Sequence, residues 1–173
     1  MLNKKELDLI IWGATGFTGQ LVSEYISKNY SNTSLKWGIA GRNKNKIFSI
    51  AQKLNVKEER VFVANSNNIE SLLKLTAKTK VICTTVGPYA KHGTKLIEAC
   101  IKTNTNYCDI TGETQWIRRI IDKFHLKAKE NKIKIINSCG FDSIPSDMGV
   151  FNFQNRLFDK TGKYASKISM RVA

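Results

Sequence analysis

Short apolar runs recur along the chain at Leu7–Trp12, Leu35–Ala40, Arg60–Ala64, Val81–Val86, Tyr107–Ile110 and Ile133–Asn137. Their hydrophobicity is nearly continuous, which predicts strands buried on both faces. Between them the apolar positions switch to helical spacing. Leu21, Val22, Tyr25 and Ile26 form one stripe, and Ile47, Ile50, Ala51 and Leu54 a second. Leu96, Ile97, Cys100 and Ile101 form a third, and Ile117, Ile120, Ile121 and Phe124 a fourth. Asn43 stands where the second helix should be capped, and Asn67 with Glu70 forms a capping-box-like pair before the third. Strand and helix alternating in this way predict an α/β fold with a doubly wound parallel sheet. In such a sheet the ligand loops lie at the carboxyl ends of the strands.

The last stretch has a different rhythm. A sixth helix near residues 146–158 leads to the turn Asp159-Lys160-Thr161-Gly162. From Tyr164 to Ala173 the pattern alternates, with Ile168, Met170 and Val172 opposite Lys167, Ser169 and Arg171. Period two predicts a half-buried strand. Residues 1–158 are therefore read as one domain, and residues 159–173 as the start of a second domain.

The length, 173 residues, suits one domain and the start of another. With 42% hydrophobic and 24% charged residues, a packed core is expected and wholesale disorder is not. The N-terminus lacks a signal-peptide apolar segment and no run is long enough to span a membrane, so a cytoplasmic protein is expected. The net charge of +14 comes from 28 Lys+Arg against 14 Asp+Glu. The cations are scattered over every predicted helix and form no unbroken block, which argues against specific nucleic-acid binding. They favour a polyanionic small ligand. The four cysteines, Cys83, Cys100, Cys108 and Cys139, show no zinc spacing, and no metal is expected.

The most informative segment is Gly13-Ala14-Thr15-Gly16-Phe17-Thr18-Gly19, placed directly after the first strand and opening the first helix. It is a G-x-x-G-x-x-G variant of the dinucleotide fingerprint. The first glycine allows a tight turn, the second lets backbone approach a pyrophosphate, and the third lets the helix pack on the strand. Amide N–H groups and the helix dipole favour phosphate there. After the second strand stands Ala40-Gly41-Arg42-Asn43, and no carboxylate occurs between Glu24 and Glu58. An NAD site needs an acid at that point for the ribose 2′-hydroxyl, whereas Arg42 suits a 2′-phosphate. NADP(H) is the cofactor expected.

Three further loops should converge on the nicotinamide. They are Val86-Gly87-Pro88-Tyr89-Ala90-Lys91-His92-Gly93, Tyr107-Cys108-Asp109-Ile110-Thr111-Gly112-Glu113, and Ser138-Cys139-Gly140-Phe141-Asp142-Ser143-Ile144-Pro145-Ser146-Asp147. Asp142, Ser143 and Asp147 serve equally well as helix caps. Cys139 reads as buried rather than nucleophilic, His92 as an ordinary loop histidine and His125 as solvated.

These motifs together resemble the saccharopine dehydrogenase-like oxidoreductases, in particular the trans-acting enoyl reductase-like branch. The resemblance rests on residues 13–19, Ala40-Gly41-Arg42, Val86-Gly87-Pro88-Tyr89 with Gly93, Tyr107, Asp109, Thr111-Gly112-Glu113, and residues 140–147. It implies an NADP(H)-binding Rossmann domain followed by a larger α+β domain that shapes the substrate site and supports a possible homodimer. It assigns Gly13, Thr15, Gly16, Phe17, Thr18, Gly19 and Arg42 to the phosphate and adenosine end of the cofactor. Gly87, Pro88, Tyr89, Cys139, Gly140, Phe141 and Ser143 would approach the nicotinamide half. The family commonly has Tyr or Phe where this chain has His92.

The function expected is hydride transfer to or from a C=C bond of a lipid-like enoyl substrate, or a C=N bond. Tyr107, Asp109 and Asp142 are the candidate polar groups near the ring. No Tyr-x-x-x-Lys pair occurs, so the short-chain dehydrogenase mechanism is not available. The alternative is a non-catalytic NADP(H)-binding module or redox sensor.

Overall fold

In the computed structural model, which describes residues 5–171, strands and helices alternate from residue 7 to residue 161, with two successive helices between the fourth and fifth strands. The elements are β1 (Leu7–Trp12), α1 (Phe17–Tyr30), β2 (Trp37–Gly41), α2 (Lys44–Lys53), β3 (Val61–Val63) and α3 (Ile69–Thr76). They continue with β4 (Thr79–Thr84), α4 (Tyr89–His92), α5 (Thr94–Lys102), β5 (Asn106–Asp109), α6 (Thr114–Glu130), β6 (Ile135–Ile136) and α7 (Ile144–Thr161). All six strands are parallel, in the order β3-β2-β1-β4-β5-β6. The order reverses at β1, between β2 and β4, and this is the topological switch point of a Rossmann fold.

The register follows from alternation. Ile10 stands between Gly38 and Ile82, and Ile11 between Ile39 and Cys83. Alternate side chains feed two cores. Ile11, Trp37, Ile39, Ile47 and Ala51 pack under α1 and α2. Ile10, Ile82, Leu72, Leu96, Ile97, Tyr107, Trp116 and Phe124 pack under α3, α5 and α6. Burial of this kind, about 1.5–3 kcal/mol for each large apolar side chain, dominates the fold's stability.

Asn43 caps α2 as expected, its carboxamide accepting from Lys46 N–H at 3.0 Å. The cap of α3 is Asn68, not Asn67. Asn68 accepts from Ser71 N–H at 3.0 Å, while Asn67 is held one step earlier by a turn in which its N–H donates to Asn65 Oδ1. The asparagine-rich run offers both residues, and the turn at Asn65 decides the phase.

The tail also departs from expectation. Residues 164–171 form no strand, and Val172 lies outside the described residues. The chain reverses at Gly162, whose φ is +67°, and folds back along α7. Gln154 brackets Ala165 through both backbone groups, at 3.0 and 2.8 Å, and Tyr164 stacks on Phe158 at 4.6 Å. An alternating pattern becomes a strand only beside another strand, and none of the described strands borders this segment. Helix α7 contains no buried residue, and Met148, Phe151, Phe153 and Phe158 are exposed on it. No helix among the described residues is long and apolar enough to cross a membrane.

Candidate functional site

Chain direction at the end of β1 is set by Gly13, whose φ is +95°. A Cβ there would lie 2.6 Å from Val86 Cγ2, so only glycine fits beside the β4 loop. At Gly19 a Cβ would fall 2.1 Å from the carbonyl oxygen of Gly13. This closeness is what seats α1 against the turn. Gly16 differs, being exposed with its nearest such contact at 3.4 Å, and it leaves an open approach to the backbone. The first bond of α1 runs from Gln20 N–H to the carbonyl of Gly16, so the N–H groups of Phe17 and Thr18 enter the helix without intrahelical partners.

A cleft of about 250 Å³ opens above this turn, lined by residues that include Gly13, Gly16, Arg42, Ser66, Thr85 and His92. Two buried polar atoms in its wall have no partner among the described residues, Trp12 Nε1 and Thr85 Oγ1. Buried polar groups are nearly always satisfied, so these two atoms are ones that an ordered water or a bound ligand would pair. Together with the unpaired N–H groups and the open face at Gly16, they fit the phosphates of a dinucleotide. Arg42 follows the end of β2 at the rim, exposed and outside every ion pair found among the described residues. A larger surface cleft, about 570 Å³, lies against residues 30–37 and 54–57. It adjoins the start of β2 and contains none of the motif residues, whereas ligands of this fold lie at the carboxyl strand ends.

Tyr107 and Asp109 are about 1% exposed, and the Tyr107 hydroxyl donates to Asp109 Oδ2 at 2.7 Å. Asn137 Nδ2 donates to the same oxygen at 2.7 Å, and the N–H groups of Thr111 and Ser138 donate to Oδ1 at 3.1 and 3.0 Å. Burial, reinforced by the adjacent carboxylate, pushes the Tyr107 phenol well above its ordinary range. Neither side chain reaches the surface on which a nicotinamide could lie. Asp142 is exposed one residue beyond Phe141, itself 79% exposed, and has no side-chain hydrogen bond among the described residues. Ser143 occupies the cap position of α7 with its hydroxyl uncommitted to the cap. Cys139 is half-buried rather than buried, and the burial it has pushes its thiol above the ordinary range, away from thiolate character.

In the β4 loop Gly87 and Pro88 are exposed. Tyr89 instead turns into the core, and its hydroxyl donates to the carbonyl of Thr84 at 3.1 Å. Sequence reasoning missed Trp12, Thr85, Ser66 and the seat of His92. His92 Nδ1 lies 3.0 Å from Ser66 Oγ at the cleft rim, which joins the loop after β3 to α4. Thr85 could have been found, because it stands at the carboxyl end of the fourth apolar run, directly before Val86-Gly87. Nothing in the sequence brings Ser66 to His92.

Comparison with known proteins agrees with this geometry. The profile described as "Saccharopine dehydrogenase NADP binding domain" matches residues 9–136. The trans-acting enoyl reductase of Mycobacterium leprae is 35% identical over 164 residues, covering 93% of this chain and 39% of the relative. That of Mycobacterium tuberculosis strain H37Rv is 36% identical over 163 residues, or 92% of this chain and 38% of the relative. The chain thus spans less than half the length of these relatives. Among solved structures, apo saccharopine dehydrogenase (L-Glu forming) from Saccharomyces cerevisiae superposes with a TM-score of 0.73 at 17% identity, covering 90% of this chain and 32% of that one. Triphenylmethane reductase of Citrobacter sp., complexed with NADP(H), gives a TM-score of 0.56 at 17% identity, covering 75% of this chain and 48% of that one. These two likenesses establish the fold.

Proposed function

The chain belongs to the saccharopine dehydrogenase family as an NADP-binding domain, and from that premise we propose that it holds NADP(H) for an oxidoreductase acting on a C=C bond of a lipid-like enoyl group. The observation that carries this reading is the junction of the glycine turn with Arg42 in one cleft, with no carboxylate beside it. Phosphates sit on the N–H groups of the Gly13–Gly19 segment, with Thr85 Oγ1 as a further donor. Arg42 pairs with the 2′-phosphate through charge-assisted hydrogen bonds, each worth roughly 1.5–3 kcal/mol. Gly87, Pro88 and the segment 139–143 flank the nicotinamide half. The nicotinamide, when bound, supplies or accepts the hydride.

The chain's own residues bind, orient and shield that ring. Of the three candidate polar groups Asp142 alone faces solvent, which supports it as the group that exchanges a proton with substrate. Tyr107 and Asp109 are buried on each other and take no direct part in the transfer. The enoyl reading is preferred to C=N because the relatives named trans-acting enoyl reductase match over almost the whole chain. Residues 159–173 open a substrate or dimerisation unit, a reading supported by the exposed apolar side chains of α7 and by the greater length of the relatives.

The test is NADPH oxidation by the protein carrying its full substrate region, followed at 340 nm with an enoyl thioester and, separately, an imine. Turnover of the thioester supports the proposal. Turnover of the imine alone moves the substrate class to C=N, and tight NADPH binding without turnover of either favours a non-catalytic module.

A further inference from the structure

The Thr111-Gly112-Glu113 motif and its neighbour Asp109 touch nothing in the cofactor cleft, yet they meet both loops that flank the proposed nicotinamide position. Asp109 holds the loop after β6. Its Oδ1 accepts from Ser138 N–H at 3.0 Å, its Oδ2 from Asn137 Nδ2 at 2.7 Å, and its own carbonyl accepts from Cys139 N–H at 2.7 Å. Ser138, at φ +59°, is kept in the left-handed region by these bonds, and its hydroxyl donates to the carbonyl of Thr111 at 2.8 Å. Glu113 performs the matching task for the loop after β4. Its two oxygens accept from Tyr89 N–H at 2.6 Å and Ala90 N–H at 2.9 Å. The link between the two acids is short, with Thr111 Oγ1 accepting from Glu113 N–H at 3.0 Å while Thr111 N–H donates to Asp109.

We infer that Asp109 and Glu113 are positioning residues, two ends of one brace that sets the spacing between the β4 and β6 loops and thereby the seat of the nicotinamide half. The inference rests on the cofactor reading above. Two carboxylates at the ends of one loop each accept two N–H donors from a different neighbouring loop. Charge-assisted bonds of this kind are stronger than neutral ones and geometrically restrictive. The glycine turn and Arg42 lie outside the brace, so the adenosine half of the cofactor has its own support.

That separation supplies the test. NADPH engages both halves, whereas 2′,5′-ADP engages only the phosphate and adenosine end. Glu113→Gln and Asn137→Ala remove one arm of the brace each while leaving the buried Asp109 in place, and Asp109→Asn weakens its centre. Calorimetric titration of each variant should show about a tenfold loss of NADPH affinity, with 2′,5′-ADP affinity within about twofold of the parent protein. Unchanged NADPH affinity in both Glu113→Gln and Asn137→Ala would overturn the brace, whatever Asp109→Asn does to folding. Equal losses for NADPH and 2′,5′-ADP would overturn it too, by showing general loosening of the domain. If the parent protein binds neither compound, the cofactor reading itself fails and the brace loses its role with it. If the parent binds 2′,5′-ADP and NADPH equally well, the nicotinamide seat is absent and the brace is overturned while the adenosine site stands.

Discussion

The hydroxyl of Tyr107 and the carboxylate of Asp109 meet at 2.7 Å beneath the carboxyl end of the sheet, each side chain about 1% exposed. Tyr107→Phe removes that donor and leaves an Asp109 lone pair short of a partner in a water-poor site. The expected cost is about 1–3 kcal/mol of unfolding free energy, read from urea denaturation. A change below about 0.5 kcal/mol, as is usual for surface substitutions, would mean that water or a shifted neighbour replaces the phenol.

The same burial fixes a dependence on pH. Tyr107 and Tyr89 are both held above their ordinary range, chiefly by burial, and so is the fully buried Cys100 thiol. In the unfolded chain a thiol titrates near ~8.5 and a phenol near ~10. A raised native value gives a stability contribution that is complete below those values and is lost as pH climbs towards the native one. Unfolding free energy should therefore fall progressively above about pH 9, measured by denaturant titrations at several alkaline pH values. A flat profile to pH 11 would contradict the burial of these groups.

Arg42→Ala should weaken NADPH binding about tenfold or more and leave NADH within about twofold. Isothermal titration with both cofactors checks this. Equal losses for the two would remove the 2′-phosphate from Arg42.

Gly16 and Gly19 belong to one motif and should fail differently. Gly19→Ala forces a methyl to within 2.1 Å of a backbone oxygen, so its first effect is on stability, about 1–3 kcal/mol or more. Gly16→Ala meets only a 3.4 Å contact in the free protein, so its melting temperature should hold while NADPH affinity drops about tenfold or more. Paired thermal melts and titrations separate the two. A Gly16→Ala protein that binds NADPH normally would show that phosphates do not approach that backbone.

Much of this architecture was legible because the signals were local. Continuous apolar runs located all six strands, and the spacing of Gly13, Gly16 and Gly19 located the turn and its helix. Strand edges shifted where hydrogen bonding, not hydrophobicity, ends a strand. The run to Val86 stops at Thr84, whose hydroxyl accepts from Val86 N–H at 3.2 Å. What the sequence could not show were meetings across the fold. Asp109 and Tyr107 read as groups beside a nicotinamide, because position at a strand end says nothing about which way a side chain turns. Both point inward, and Asp109 gathers donors from residues 107, 111, 137 and 138. The tail read as a strand because alternation records a preference for one buried face and not the presence of a neighbour to bury it.

The Gly13–Gly19 turn and Arg42 are proposed to form one NADP(H) site. Calorimetric titration of the purified 173-residue chain with NADPH and NADH tests it most directly. Saturable NADPH binding with at least about a tenfold preference over NADH is expected. Equal affinity for the two, or binding of neither, would contradict it.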